Sequence, residues 1–473
     1  MKQAPHGFTG GVVLAAFKPD AGAIEDAGVP QVLHLPLNRH VGTPGVAVVA
    51  AGERVARFQV IARAGSYVGV PLHAPTSGVV LAAGPESILI QADGLDRGAP
   101  ADPIDWPVAS PAQLRDAIGA AGIVGMGGAG FPARVKLREA AARAPRMLIV
   151  NAVECEPSIG CDRALLRHRA REVFDGARIL ARASGAPRCV LAVKQGDDVP
   201  QDSGGIEVIA VPARYPAGGE KQLIQALCGI ELASGALPIE AGVLMHNVGT
   251  AAAVYAAVVR GEPLVSRVVT VAGAVARPGN FQVRIGTPIA YLIERAGGAA
   301  VAGARILSGG PMMGHPVDDP GAPIVGTTNG VLLLAPSAPV AEQPCIRCGR
   351  CIEVCPVQLQ PQALLAAARE GNFDRAQDLH LFDCIECGCC AYVCPSRIGL
   401  VGEYRAAKSA VMQADAAWRA AQSARARHDA HEVRIARAPP SPSATSARAP
   451  RQDYIAAAIA RARRDGNGGD CPP

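Results

Sequence analysis

Eight of the chain's fourteen cysteines fall in two runs of one spacing. The first is Cys345-Ile-Arg-Cys348-Gly-Arg-Cys351-Ile-Glu-Val-Cys355-Pro356. The second is Cys384-Ile-Glu-Cys387-Gly-Cys389-Cys390-Ala-Tyr-Val-Cys394-Pro395. Each reads C-x2-C-x2-C-x3-C-P, the spacing that holds a pair of cubane [4Fe–4S] clusters. Three thiolates two residues apart wrap one face of a cube, and the fourth ligand comes from the other run. The spacing therefore predicts Cys345, Cys348, Cys351 and Cys394 for cluster 1, and Cys384, Cys387, Cys390 and Cys355 for cluster 2. The prolines restrict the backbone just beyond the last ligand of each run. Cys389 has no role in this scheme. A single run would be compatible with zinc, but two of the same spacing, each with its proline, point to single-electron transfer in a reducing compartment. Nothing resembling a signal peptide opens the chain, so disulfides are not expected.

A second set of residues has the chemistry of nucleotide binding. Gly125-Met126-Gly127-Gly128-Ala129-Gly130-Phe131-Pro132 contains G-x-G-x-x-G and precedes a helix. Backbone N–H groups there can cradle a phosphate with help from the helix dipole, and Lys136 would add a charge one turn on. The loop follows a helix rather than a strand, so the motif is weak alone. Three polar turns accompany it: Asn151-Ala-Val-Glu154-Cys155-Glu156-Pro157, Tyr215-Pro-Ala-Gly218-Gly219-Glu220-Lys221 and His246-Asn247-Val-Gly249-Thr250. The first lies at the C-terminal end of an apolar strand, where α/β folds place their ligand crevice.

The elements that must position these residues read as a multidomain α/β and β chain. Residues 1–105 are β-rich, with short apolar runs between glycine and proline turns. Gly52–Ala56 and Pro75–Val80 resemble the paired hairpins of lipoyl-type barrel-sandwich domains, without the lysine those carry at the hairpin tip. Residues 106–262 read as Rossmann-like α/β, with helices after Ser110-Pro111, from Pro132, over Leu165–Ser184, Gln222–Leu227 and Ala251–Val259, and strands at Met147–Val150 and Cys189–Val193. Residues 263–336 return to β character. Residues 337–405 carry the clusters, and two short helices are expected in the spacer between the runs. The tail, 406–473, is rich in alanine and arginine and is broken at Pro439-Pro440-Ser441-Pro442; it is expected to be solvated and partly disordered, with a basic helix near Tyr454–Arg464.

Composition narrows the function. Of 473 residues, 49% are apolar and only 4% aromatic, and a formal charge of +5 is small for the length. Neither the charge nor any aromatic–basic stripe supports nucleic-acid binding. No run of about 18 residues is uninterrupted enough to span a membrane. No hydrolytic triad or carboxylate pair stands out, and His34, His40 and His73 are scattered without metal-ligand spacing. Cys189 and Cys228 read as core thiols, Cys155 as packing, and Cys161 and Cys471 carry no pattern.

The glycine loop and its three companion turns resemble, in order over residues 120–255, the NADH-oxidising flavoprotein subunit of respiratory complex I, with its G-R-G-G-A-G-F-P, N-A-D-E-x-E-P, G-E-E and N-V-E-T motifs. Residues 268–298, with Val268-Val-Thr-Val-Ala-Gly-Ala-Val-Ala-Arg-Pro-Gly279, resemble a soluble-ligand-binding β-grasp (SLBB-like) domain. The whole, over roughly residues 5–405, resembles the C subunit of the Rnf/Rsx ion-translocating electron transport complexes. That resemblance implies an N-terminal barrel-sandwich hybrid, an FMN/NADH domain, a β-grasp domain and a bacterial 2[4Fe–4S] ferredoxin-type helical domain. It implies that Gly125, Gly127, Gly128 and Gly130 line FMN, that Lys136 approaches its phosphate, and that Asn247 and Thr250 hold its ribityl chain or phosphate. Asn151 and Glu154 would bond the flavin or nicotinamide, Glu156 would shape the pocket, Phe131 would stack on NADH, and Gly218 and Glu220 would lie near its path. Met126, Val153 and Gly249 depart from the complex I pattern, and two ferredoxin runs replace its single-cluster signature; both differences favour the Rnf/Rsx family.

The implied function is a peripheral subunit on the cytoplasmic face of the bacterial inner membrane. It would pass electrons between NADH and ferredoxin or a membrane redox partner through FMN and two clusters, with no protein acid or base. The alternatives are a soluble cobalamin reductase of similar architecture, or an electron-relay adaptor without an NADH site.

Overall fold

Three apolar runs, Met147–Ala152, Arg188–Lys194 and Glu207–Val211, are nearly continuous hydrophobic sequences, as strands covered on both faces must be. In the computed structural model, which describes residues 2–15, 18, 22–200, 203–338, 341–437 and 456–461, they form a parallel sheet. Its order is Lys2–Gln3, Glu207–Val211, Arg188–Lys194, Met147–Ala152, Val243–Asn247. Alternate residues face opposite layers. Leu148, Val150, Leu191 and Leu244 pack under the helices Ala170–Ser184 and Val248–Val259. Ile149, Val190, Ile209 and Met245 pack on the helix Glu220–Cys228.

Most expected helices form where their caps lie. Ser110 and Gln113 make a reciprocal capping box at the start of Pro111–Ala120. Two expectations are corrected. Leu165–Ser184 is not one helix: Cys161–His168 and Ala170–Ser184 are separated at Arg169, whose backbone leaves the helical region and whose guanidinium donates to Gln282 of the β-grasp sheet at 2.7 Å. The apolar run before Ala251 is a strand, Val243–Asn247, feeding a helix that already starts at Val248.

Two early segments leave the N-terminal β domain. Lys2–Gln3 forms the edge of the parallel sheet, and Ile24–Asp26 pairs in parallel with Gly279–Arg284 in the β-grasp sheet. The barrel sandwich itself is built over Val32–Ala92 as a four-stranded and a three-stranded sheet, around Leu33, Leu35, Ile61, Leu72, Ile88 and Ile90. The β-grasp sheet has Ser266–Gly273 near its centre and packs Val269, Phe281, Leu292 and Leu333 together.

The spacer between the cysteine runs forms the expected helices, Pro361–Arg369 and Phe373–Asp378. A helix from Leu400 to Arg437 replaces the expected unstructured start of the tail. Its composition explains this, since alanine, arginine and glutamate favour helix and no proline occurs within it. Residues 1–407 make up one compact unit and the segment from Lys408 on is another. Residues 456–461 are helical, while the rest of the Tyr454–Arg464 expectation, the proline break and Cys471 lie outside the described residues.

Candidate functional site

The two cysteine runs fold as near copies. Arg347 and Gly349 take positive φ in the first run, and Glu386 and Gly388 take it at the same positions of the second. Gln358 and Arg397, each three residues past the last cysteine, repeat the pattern. These turns wrap the first three cysteines of each run around a centre. Cys345, Cys348, Cys351 and Cys394 line one cavity, and Cys355, Cys384, Cys387 and Cys390 line another. Four sulfurs at each cavity, exchanged between the runs, are the donor set a cubane requires, and Cys389 lines the second cavity as a fifth cysteine. The two sites differ in exposure: Cys345 and Cys348 are exposed, whereas Cys355, Cys387 and Cys390 are buried. The Leu359 N–H donates to Cys355 Sγ at 3.3 Å.

The glycine loop lies across the C-terminal edge of the parallel sheet. Asn151, next to last in its strand, and Asn247, last in the adjacent one, are register partners there. Residues 127–129 are exposed, so the loop presents bare backbone. A Cβ on Gly127 would press on Asn247 at 3.2 Å, while one on Gly128, at φ +116°, would meet nothing within 4 Å. Gly130, at φ +64°, would meet Thr327 at 2.9 Å. The loop is thus packed tightly below and open above, as a cradle for a flat ligand must be.

The loop is pinned on both sides of one residue. The Met126 N–H donates to Thr250 Oγ1 at 3.0 Å, and its carbonyl accepts from Arg267 Nη1 at 3.3 Å. Asn247 caps its helix by accepting from the Gly249 N–H at 2.8 Å, and its amide donates to Asp162 Oδ2 at 2.6 Å. Asn151 donates to the Gly218 carbonyl at 2.9 Å. Gly218 tolerates no side chain, because a Cβ would sit 2.3 Å from the Val153 carbonyl oxygen.

Other expected ligand residues are engaged by the protein. Lys136 pairs with Glu220 at 3.0 Å, with both half-exposed at the crevice. Glu156 accepts from the Met312 N–H at 2.7 Å and the Met313 N–H at 3.2 Å, and so ties the crevice to the β-grasp domain. Burial raises its carboxyl above the usual range. Phe131 is half-buried after the loop. Glu154, expected at the flavin or nicotinamide, is also engaged within the protein. It is buried, pairs with Lys18 at 3.3 Å, and accepts from the N–H groups of Asp162 and Arg163 at 3.0 and 3.3 Å.

Three residues that pack around the site carry no sequence signal, Lys18, Asp162 and Arg267, and Tyr215 is marked only as the start of a polar turn. Tyr215 is buried and donates its hydroxyl to the Cys387 carbonyl at 2.7 Å. Its backbone exchanges hydrogen bonds with Val12 at 2.8 and 2.9 Å. Tyr215, Cys155, Cys387, Cys389 and Met312 share one small apolar cluster. Cys389, without a role in the spacing, is buried there. Gly218 begins three residues after Tyr215, so one short segment joins the crevice to the second cysteine set. Gly10 closes the other side of that set: at φ +66°, a Cβ there would lie 2.5 Å from the Cys355 carbonyl oxygen. Gly10→Ala is therefore expected to displace the Cys355 loop. Iron content should fall from about eight atoms per chain toward about four, measured colorimetrically on anaerobically purified protein.

A parallel sheet with a glycine cradle at its carboxyl edge, beside two exchanged four-cysteine sites, defines a flavin- and iron–sulfur-binding electron-transfer protein. The matched family models follow that division: an RnfC barrel sandwich hybrid domain over 6–94, a Nuo51 FMN-binding domain over 118–256, an SLBB domain over 268–316 and a 4Fe-4S dicluster domain over 342–431. The chain is 41% identical over 411 residues to the C subunit of the ion-translocating oxidoreductase complex of Rhodobacter capsulatus, covering 81% of this chain and 79% of the relative. It is 41% identical over 461 residues to the corresponding C subunit of Pseudomonas aeruginosa, covering 91% of this chain but 59% of that longer relative. The chain belongs to the family of C subunits of ion-translocating oxidoreductase complexes, and FMN and [4Fe–4S] clusters are its cofactors. An NAD+-reducing [NiFe]-hydrogenase shares a looser likeness, with TM-score 0.46 and 21% identity over 65% of this chain and 63% of that one.

Proposed function

We propose that this chain is the peripheral NADH-oxidising subunit of an ion-translocating oxidoreductase complex, on the cytoplasmic face of the bacterial inner membrane. It passes electrons to a membrane redox partner or ferredoxin. FMN, when bound, would supply hydride acceptance and single-electron release, and clusters held by the two cysteine sets would supply onward single-electron transfer. The protein's residues do the positioning. Gly125, Gly127, Gly128 and Gly130 let the ligand approach backbone, Asn151 and Asn247 offer amides at the sheet edge, and the crevice stays open at Lys136 and Glu220. The cysteines bind as Cys345, Cys348, Cys351 and Cys394, and as Cys355, Cys384, Cys387 and Cys390.

The observation that carries the reading is Tyr215, which spans from the turn at Gly218 to the Cys387 carbonyl. It supports an order in which the buried second cluster receives electrons first and the exposed first cluster delivers them. No helix among the described residues is long and apolar enough to cross a membrane. Ion movement is assigned to the partners of the complex. The test is anaerobic: load the purified chain with FMN and iron, remove free flavin and add stoichiometric NADH. Bleaching of the flavin and cluster bands together is expected. Clusters without bound flavin would leave an electron-relay adaptor, and corrinoid reduction by the isolated chain would favour the cobalamin-reductase reading.

A further inference from the structure

Beneath the glycine cradle lies a polar network that the electron path does not use. Its centre is Asp162, at the start of the helix Cys161–His168. The side chain is part-buried, and its Oδ2 accepts from Asn247 Nδ2 at 2.6 Å. Charged and titratable groups face it from each surrounding element: Glu154 from the turn after the sheet, Cys161 and Arg163 from its own helix, Lys18 from the N-terminal segment and Arg267 from the β-grasp sheet. Lys194 and Asp197 stand behind Lys18 and Glu154. Glu154, Cys161 and Asp162 lie close enough to hold a metal ion. With Lys18 and Arg267 beside them, their charge is already balanced and no cation is required.

Burying a carboxylate without a direct ion pair is costly. Burial and the neighbouring Glu154 charge raise the Asp162 carboxyl from the ordinary 3.8 to about 7. Such a carboxylate weakens the fold, and its position identifies what it does instead. Asn247 has one amide oxygen and one amide nitrogen. The oxygen is fixed on the Gly249 N–H and the nitrogen on Asp162, so the amide cannot flip. The second N–H of that amide remains for the crevice, beside Gly127.

We propose that Asp162 is a positioning residue for the flavin: its carboxylate locks the Asn247 amide in the orientation that the cradle presents to the ligand. The inference rests on the flavin reading of the cradle. The charge-assisted bond is strong only while Asp162 is ionised, so flavin affinity falls as pH drops through neutrality. The stability linkage has the opposite sense. Because the folded-state pKa is raised, the native protein holds the proton more tightly than the unfolded chain, and stability declines as pH rises from about 4 through about 7.

The test is Asp162→Asn in the full chain with its clusters, read in two ways. Flavin dissociation constants are measured by fluorescence at pH 6 and pH 8, with both FMN and riboflavin. Riboflavin lacks the phosphate, so any pH slope it shows belongs to the protein. The unaltered chain should lose affinity for both at pH 6. The variant should bind both on the order of tenfold more weakly at pH 8, the worth of one charged hydrogen bond, and show no slope with riboflavin. Thermal unfolding of the flavin-free chain should move the other way, the variant melting above the unaltered chain at pH 8 and the gap closing near pH 5. Weaker flavin binding together with a more stable fold is a pairing that mere structural damage does not produce. A variant that binds flavin normally, or that melts lower at pH 8, overturns the proposal. Failure of the unaltered chain to bind any flavin would instead overturn the flavin reading of the cradle, and this proposal with it.

Discussion

With Cys384→Ala, NADH is expected to bleach the flavin and leave cluster 1 oxidised, the rate of cluster 1 reduction falling by orders of magnitude. With Cys345→Ala, the second cluster should still be reduced at its normal rate. The asymmetry comes from placement. Cys355, Cys384, Cys387 and Cys390 surround the site that Tyr215 touches and that Gly10 closes from behind. Cys345, Cys348, Cys351 and Cys394 surround a cavity with exposed cysteines at its mouth. A relay that enters at the buried site and leaves at the exposed one needs the first to feed the second, whereas parallel branches would not. The measurement is stopped-flow absorbance with freeze-quenched paramagnetic resonance of each cluster, and dithionite reduction of cluster 1 in Cys384→Ala shows that it is still assembled. The domain should tolerate the change, because Leu364, Leu365, Leu381 and Tyr404 give it an apolar core of its own. Normal reduction of cluster 1 in Cys384→Ala would refute the serial order.

Much of this arrangement is readable from residue order alone, where chemistry is written as short spacing. The exchanged cysteine sets follow from cube geometry, and the repeated left-handed turns at Arg347 and Glu386 are the backbone's answer to that spacing. The glycine loop is legible for a similar reason, since close backbone approach leaves a glycine at each contact. What the sequence hides is long-range pairing. Lys18 meets Glu154 across more than a hundred residues, and Arg267 reaches Met126 from another domain. Neither residue type is distinctive in its own segment. The Val243–Asn247 strand was hidden because a fully buried apolar run has no period of its own. Likewise Ile24–Asp26 is too short to announce that it completes a sheet formed some 250 residues later.

Glu154→Ala is expected to destabilise the chain by about 3–5 kcal/mol, the cost of stranding one member of a buried ion pair. Both side chains of the Lys18–Glu154 pair are 5% exposed, so water cannot replace the lost partner. The carboxylate also accepts the Asp162 and Arg163 N–H groups, two of the unpaired donors at the start of the helix Cys161–His168. The loss would therefore fall on helix and ion pair together. Lys18→Met should cost less, because Glu154 keeps its backbone donors. The double variant Lys18→Met, Glu154→Gln removes both charges and leaves a polar group to cap the helix. It should recover a large part of the loss, since replacing both partners of a buried pair leaves no charge unsatisfied. Denaturant midpoints of the unaltered chain, Lys18→Met, Glu154→Gln and the double variant, read with an unchanged dependence on denaturant, give the coupling directly. A cost below about 1 kcal/mol for Glu154→Ala would mean that water reaches the pair. A double variant no more stable than Glu154→Ala would show that the stranded charge of Lys18 is not the source of the loss.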